Sequence, residues 1–587
     1  MKKWKAFALL LVVPILLTSC GDIFDLGILT DKTIAAKYQE YFEGITPMRG
    51  DIKVQTPDLS QLDLAYSERE LSAEYDSGSA TRIVFSDGGS TVYGKGAESD
   101  GKDVTVSASG IYIISGSASG ALLTVDATYE DDVHLVLSDL SLEGKSGTAL
   151  DIRSVGSILL TLTGESTLSD SLEYKPSALN KQTGAVILCQ KDLAINGSGS
   201  LSVVGYRAHG ILSRGALTVT GGNIKIQSSE AAFIGEKCVK IGGGALNIRA
   251  EEEGILSGRV LEEEKPSEET EESVQRSGYI YVSGGSLQIS STGDAIHAES
   301  LLVIEDGEFE LSTGVRMDEI LQEQEEEETL PKFWDIFEPS PKEMAAEETE
   351  KAVTVFSDGL YAASDILIRG GVLAIDASGR GVFAGEALCI DGGKFKIRAI
   401  GNGLCAEGAV GISDGILILE TSKIGISGAS VDISGAHIYM AETECGVFTR
   451  GKLLMSGGVL AVAGATGLPL DFGAAMIEGG VLVALGNGAV AREFFPGRQQ
   501  GVVLCRFEKQ KSGYPLALLD NEGALLLSLE GRREYSLAYF SAPEIKQGRA
   551  YTLASGGFAP GSDRYGLAIG GESMIASTSL AVVTANS

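Results

Sequence analysis

Residues 370–415 read GGVLAIDASGRGVFAGEALCIDGGKFKIRAIGNGLCAEGAVGISDG. Three glycine corners stand 22 residues apart in this stretch, at Gly371, Gly393 and Gly415. Two and four places after each corner the residues are apolar: Leu373/Ile375, Phe395/Ile397 and Leu417/Leu419. Polar residues such as Lys396 separate some of these pairs, which is the period of a strand with one face inward, and helical spacing is absent. The same corner recurs at Gly222, Gly244, Gly285, Gly307, Ala436, Gly458 and Gly480. A unit of 22 residues is too short to bury its own apolar face, so neighbouring copies must stack.

Short strands stacked in this way predict an all-β fold, a right-handed parallel β-helix of about 22 residues per coil, with coils about 4.8 Å apart. A leucine-rich horseshoe would need a Leu/Asn pattern that is missing. Two corner spacings exceed one period, and each contains an acidic insert, 257–277 and 312–352. Both inserts read as solvated loops. The second carries Lys332-Phe333-Trp334-Asp335-Ile336-Phe337, readable as a contact patch or as one helical turn against the rod. The solenoid is expected over 81–499 and a β-rich cap over 500–587, with strands at Leu516–Leu519, Leu525–Leu529 and Tyr535–Tyr539. A cap is required because an open coil is an unpaired strand edge.

Residues 1–20, MKKWKAFALLLVVPILLTSC, pair two leading lysines with a short apolar run ending in Leu17-Thr18-Ser19-Cys20. This resembles a bacterial lipoprotein signal, with Cys20 as the lipidated (palmitate-bearing) first residue of the mature chain. Residues 21–80 then read as a tether, with some helical character from Thr33 to Phe42. The expected location is the bacterial cell envelope, with the membrane reached through the anchor at Cys20. The formal net charge is −33, which argues against nucleic acid or anionic lipid as direct partners. Six further cysteines form no CxxC pair and read as small buried residues, with disulfides also permitted in an exported chain.

Residues 104–126, VTVSASGIYIISGSASGALLTVD, followed by DDVHLVLSDLSLEG (131–144), ILLTLTGESTLSDS (158–171) and GAVILCQKDLAINGSGSLSV (184–203), resemble a bacterial family of carbohydrate-binding-domain proteins. The stretch YPLALLDNEGALLLSLEGRREYSLAYFSAP (514–543) is similar to that family's closing segment. The resemblance implies a parallel β-helix that binds acidic polysaccharide, with calcium held by aspartates on the coils. In the family an Asp tends to stand nine places after each corner. Here that column reads Ala231, Glu253, Asp294, Asp358, Arg380, Asn402, Ile424, Cys445 and Gly467 once the second insert is removed.

Glu253, Asp294 and Asp358 therefore fall on three consecutive coils, at about 5 Å spacing. Carboxylates that close repel, and a calcium ion bound by the three would remove the repulsion. Arg380, next in the stack, would instead neutralise Asp358 directly. A polysaccharide-binding envelope protein is the leading functional expectation, with Tyr206, Tyr281, Tyr361 and Tyr439 as candidate sugar contacts. A structural or adhesive surface protein is the alternative. A polysaccharide lyase or hydrolase ranks last, because His209-Gly210 lacks accompanying paired aspartates.

Overall fold

The computed structural model describes residues 33–586, except 47–48, 52–53, 146, 172–183, 259–276, 315–355, 489–490 and 496–499. The expected signal peptide with Cys20, most of both acidic inserts and the Trp334 motif lie outside the described residues. The chain forms a parallel β-solenoid of about 14 turns with some 22 residues per turn. Each coil bonds in parallel register to the next: Asn223–Ser228 pairs with Ala245–Ala250, which pairs with Ser286–Ser291, which pairs with Glu308–Thr313.

Period-two alternation sends one side chain of each pair into the rod. Ile255, Ile296, Leu360, Val382, Leu404, Ile426 and Val447 stack in register down its centre, all without solvent exposure. Burying each contributes about 2 kcal/mol before chain entropy is counted. The corners need glycine for two reasons. At Gly244 φ is +86°, and a Cβ there would lie 2.8 Å from the carbonyl oxygen of Gly222 in the preceding coil. Ala436 is the one corner without glycine, and it is held at φ +72°.

Antiparallel pairs close both ends of the rod. Thr81–Ser86 pairs with Thr91–Tyr93 at the start. At the other end Tyr535–Ser541 runs antiparallel to the last coil strand, Val481–Gly486, and to Val503–Gln510. A separate antiparallel sheet follows, in the order Leu567–Ile569, Leu525–Glu530, Pro515–Leu519, Ala550–Ser555 and Thr578–Thr584.

The segment expected to be a free tether lies, over its described part, along the rod. Its helix, Ile34–Phe42, is capped by Thr33, and Tyr38 donates to Glu310 Oε1 at 3.0 Å. The chain then runs back toward the first coils. Val54, Leu59, Leu62 and Leu64 pack on outward apolar residues including Leu301, Val303 and Leu367. Lys240 Nζ donates to Ala65 O (2.8 Å), and Asn196 Nδ2 donates to Ser72 O (2.8 Å). This strap has no strand alternation, so its apolar residues carry no periodic signal. They are buried only because the rod offers an apolar flank. Among the described residues all six cysteines are free thiols, four of them buried.

Candidate functional site

Several coils contain a three-residue strand whose outer residues point into the core and whose middle residue points out. Ile296–Ala298, Leu360–Ala362 and Leu404–Ala406 show this buried, half-buried, buried pattern. The middle residues form one row along the rod: Leu256, His297, Tyr361, Phe383, Cys405, Ser427, Phe448 and Asp471, each in register with the next. Most stand twelve places after a corner, a spacing that identifies the row once the corners are aligned. Of the candidate tyrosines only Tyr361 belongs to it. Tyr281 does point outward, but the strap residue Tyr66 covers it, with ring centroids 6.3 Å apart. Tyr439 is buried against Tyr565 of the C-terminal sheet at 4.4 Å, and Tyr206 sits half-exposed in a turn.

The row has two halves with different chemistry. In the first, His297 stacks on Tyr361 at 4.2 Å and Tyr361 on Phe383 at 5.5 Å, with the Arg380 guanidinium 3.4 Å from the Phe383 ring centre. Those rings cover one another's faces and present edges outward. In the second half the residue beside Phe448 is Ser427, too small to cover a ring. A recess of about 450 Å³ opens there, lined by Phe448, Ser427, Asn402, Glu407 and Arg450. Asn402 Nδ2 donates to Ser427 Oγ (3.1 Å), which fixes the amide along the wall. Arg450 is exposed and pairs with no carboxylate among the described residues. Asp471, at the far end, already accepts from Arg492 Nε at 2.6 Å.

Three residues before the row runs the ionisable column. Backbone bonds from Gly254 to Asp294, Ala295 to Asp358 and Gly359 to Arg380 place Glu253, Asp294, Asp358 and Arg380 on consecutive coils. The carboxylates are not free to share a cation, however. Arg380 donates to Asp358 through Nε (3.1 Å to each oxygen) and Nη2 (2.6 Å). Asp294 contacts His297 Nδ1 at 2.8 Å and accepts the Asp358 backbone N–H at 2.7 Å. Burial alone would push the His297 pKa down, but hydrogen bonds and charge from Asp294 and Glu299 hold it up at about 9. The imidazolium therefore serves as the counter-ion that calcium was expected to be. Burial pushes the Asp358 carboxyl upward in spite of Arg380. Among the described residues no three His, Cys, Asp or Glu side chains are grouped to hold a metal ion. The trio Glu253, Asp294 and Asp358 does not fit calcium, because two of its members already have protein cations.

His209 is buried, at the start of the strand His209–Ser213. Its Nδ1 lies 3.2 Å from Ala231 O and its Nε2 3.2 Å from Glu230 Oε2, and burial pushes its pKa down to about 4. Burial, then the charges of Glu252 and Asp170, push Glu230 up to about 7.

The fold is thus a parallel β-solenoid with one outward row of aromatic and polar side chains along a flank. The chain belongs to the family of carbohydrate-binding domain-containing proteins, whose sequence profile matches residues 100–399. It is similar to a carbohydrate-binding domain-containing protein of Acetivibrio thermocellus, 27% identical over 216 residues, covering 36% of this chain and 71% of that one. A solved structure of a polysaccharide lyase-like protein from C. thermocellum, a gadolinium derivative, is 26% identical. It covers 40% of this chain and 92% of the other, with a TM-score of 0.35.

Proposed function

We propose that this protein is a lipid-anchored envelope protein that binds acidic polysaccharide along the outward row, with the Phe448 recess as its principal sugar subsite. The observation that carries this reading is the uncovered face of Phe448 beside a guanidinium that meets no carboxylate among the described residues. A pyranose ring stacks on an aromatic face through its C–H groups, while its hydroxyls need polar partners at the rim. Asn402, Ser427 and Glu407 are those partners. Arg450 matches a uronate carboxylate, whose two oxygens accept a bidentate pair. The other neighbours of the row extend the contact to further sugar units. In support of the anchor stands the sequence ending at Cys20. Among the described residues no helix is long and apolar enough to cross a membrane.

The test is titration with oligogalacturonate and with a neutral glucan of equal length. Phe448→Ala is expected to weaken binding to both about tenfold, the loss of one buried anchor. Arg450→Met is expected to weaken only the acidic ligand and to flatten its salt dependence. Unchanged binding in both variants would move the site elsewhere on the rod.

A further inference from the structure

The Phe448 recess holds two charges of opposite sign that do not meet. Cys405, Ser427 and Phe448 stand in register on consecutive coils. Two places after each of them come Glu407, Ala429 and Arg450, and all three line the recess. Glu407 and Arg450 are thus two coils apart, about 10 Å at the backbone, with Ala429 between them. The alanine side chain is too short to bridge the two. Both charged side chains are exposed, and neither forms an ion pair or a side-chain hydrogen bond among the described residues.

The surroundings of the two ends differ in sign. Glu407 also lines a second cavity, of about 1040 Å³, between the rod and the strap. Asp58, Asp365 and Glu386 line that cavity too, and none of its described lining residues is a lysine, arginine or histidine. Asp58 and Asp365 each give one oxygen to a backbone N–H, of Ser60 and Ala387. At the other end the next acid along the row, Asp471, is already engaged by Arg492. A polymer that carries carboxylates alone is therefore attracted at Arg450 and repelled at Glu407. A neutral polymer gains from neither charge. The ligand that suits both ends carries a protonated amine toward Glu407 and a carboxylate at Arg450.

We infer that the polysaccharide is a copolymer in which an amino sugar with a free ammonium group neighbours a uronic acid, and that Glu407 selects the amino sugar. The inference rests on the Phe448 recess being the sugar subsite. Glu407 accepts from the ammonium, Arg450 donates to the uronate through both arms of its guanidinium, and a sugar ring lies on Phe448. The test is titration of the full chain with two tetrasaccharides of alternating glucuronate and glucosamine. They differ only in that the amines are free in one and N-acetylated in the other. The titration is run at about pH 6, where a free amine is protonated. The parent is expected to bind the free-amine form about three- to fivefold more tightly, the contribution of one solvent-exposed ion pair. Glu407→Gln keeps the shape of an exposed side chain and should bind both forms equally. Arg450→Met should weaken both and keep the preference. Equal binding by the parent, or a preference that survives Glu407→Gln, overturns the inference and leaves the recess as a sugar site. Phe448→Ala separates the two failures: it should weaken both forms about equally. Unchanged binding in that variant, or no binding of either form by the parent, removes the sugar subsite and this inference with it.

Discussion

Replacing Arg380 by Met tests the ionic column directly. The substitution keeps an unbranched apolar stem over Phe383 and removes the guanidinium. The Asp358 side chain is only 8% exposed, so its carboxylate would be left buried, keeping just its hydrogen bond from the Arg380 backbone N–H at 2.8 Å. Removing one partner of a buried pair costs about 3–5 kcal/mol. Arg380 itself is 34% exposed, and solvent screening of the pair reduces the expected loss to about 2–3 kcal/mol. The lost contact with the Phe383 ring adds roughly 0.5–1 kcal/mol. A stacked rod need not unfold in one step, so the readout is amide hydrogen exchange in Leu360–Ala362 and Val382–Ala384, backed by urea unfolding. The double variant Arg380→Met/Asp358→Asn has no buried charge and should recover more than half of the loss. Lowering the pH should also narrow the gap between Arg380→Met and the parent, because burial already pushes the Asp358 carboxyl upward and the loss of Arg380 removes what held it down. If the single variant exchanges like the parent, or the double variant is as damaged as the single, the buried-pair reasoning is wrong.

Three further outcomes follow from the same geometry. His297 is held at about 9 against an ordinary 6.5, so its stabilisation is complete below pH 6.5 and lost as pH rises through 9. It amounts to roughly 3 kcal/mol at most, and unfolding across pH 6–10 should show this slope in the parent and lose it in His297→Gln. Ala436→Gly relieves a left-handed alanine at φ +72° and should stabilise the rod by about 1 kcal/mol, seen as a raised melting temperature. Millimolar calcium should leave the melting temperature unchanged, since Asp294 and Asp358 are already paired; a clear rise would restore the carboxylate trio as a metal site.

The amino-acid sequence determined the solenoid because its decisive signals are local and repeated. A glycine every 22 residues fixes where the chain turns, and period-two alternation fixes which side chains go inward. Stacking then places residues one period apart side by side, so the order Glu253, Asp294, Asp358, Arg380 was legible from the alignment of corners alone. What the sequence left open was which neighbour each charge would choose. Carboxylates on consecutive coils suit a shared cation or separate protein partners equally well. Only tertiary structure shows Arg380 folded onto Asp358 and His297 turned toward Asp294. The Phe448 recess was hidden for the same reason: a ring's use depends on what covers its faces, and Ser427 leaves one bare while Phe383 and His297 cover Tyr361. The strap over 33–80 depends on contacts between residues hundreds of positions apart. No local period encodes such contacts, so they are settled only when the finished rod presents a surface to pack against.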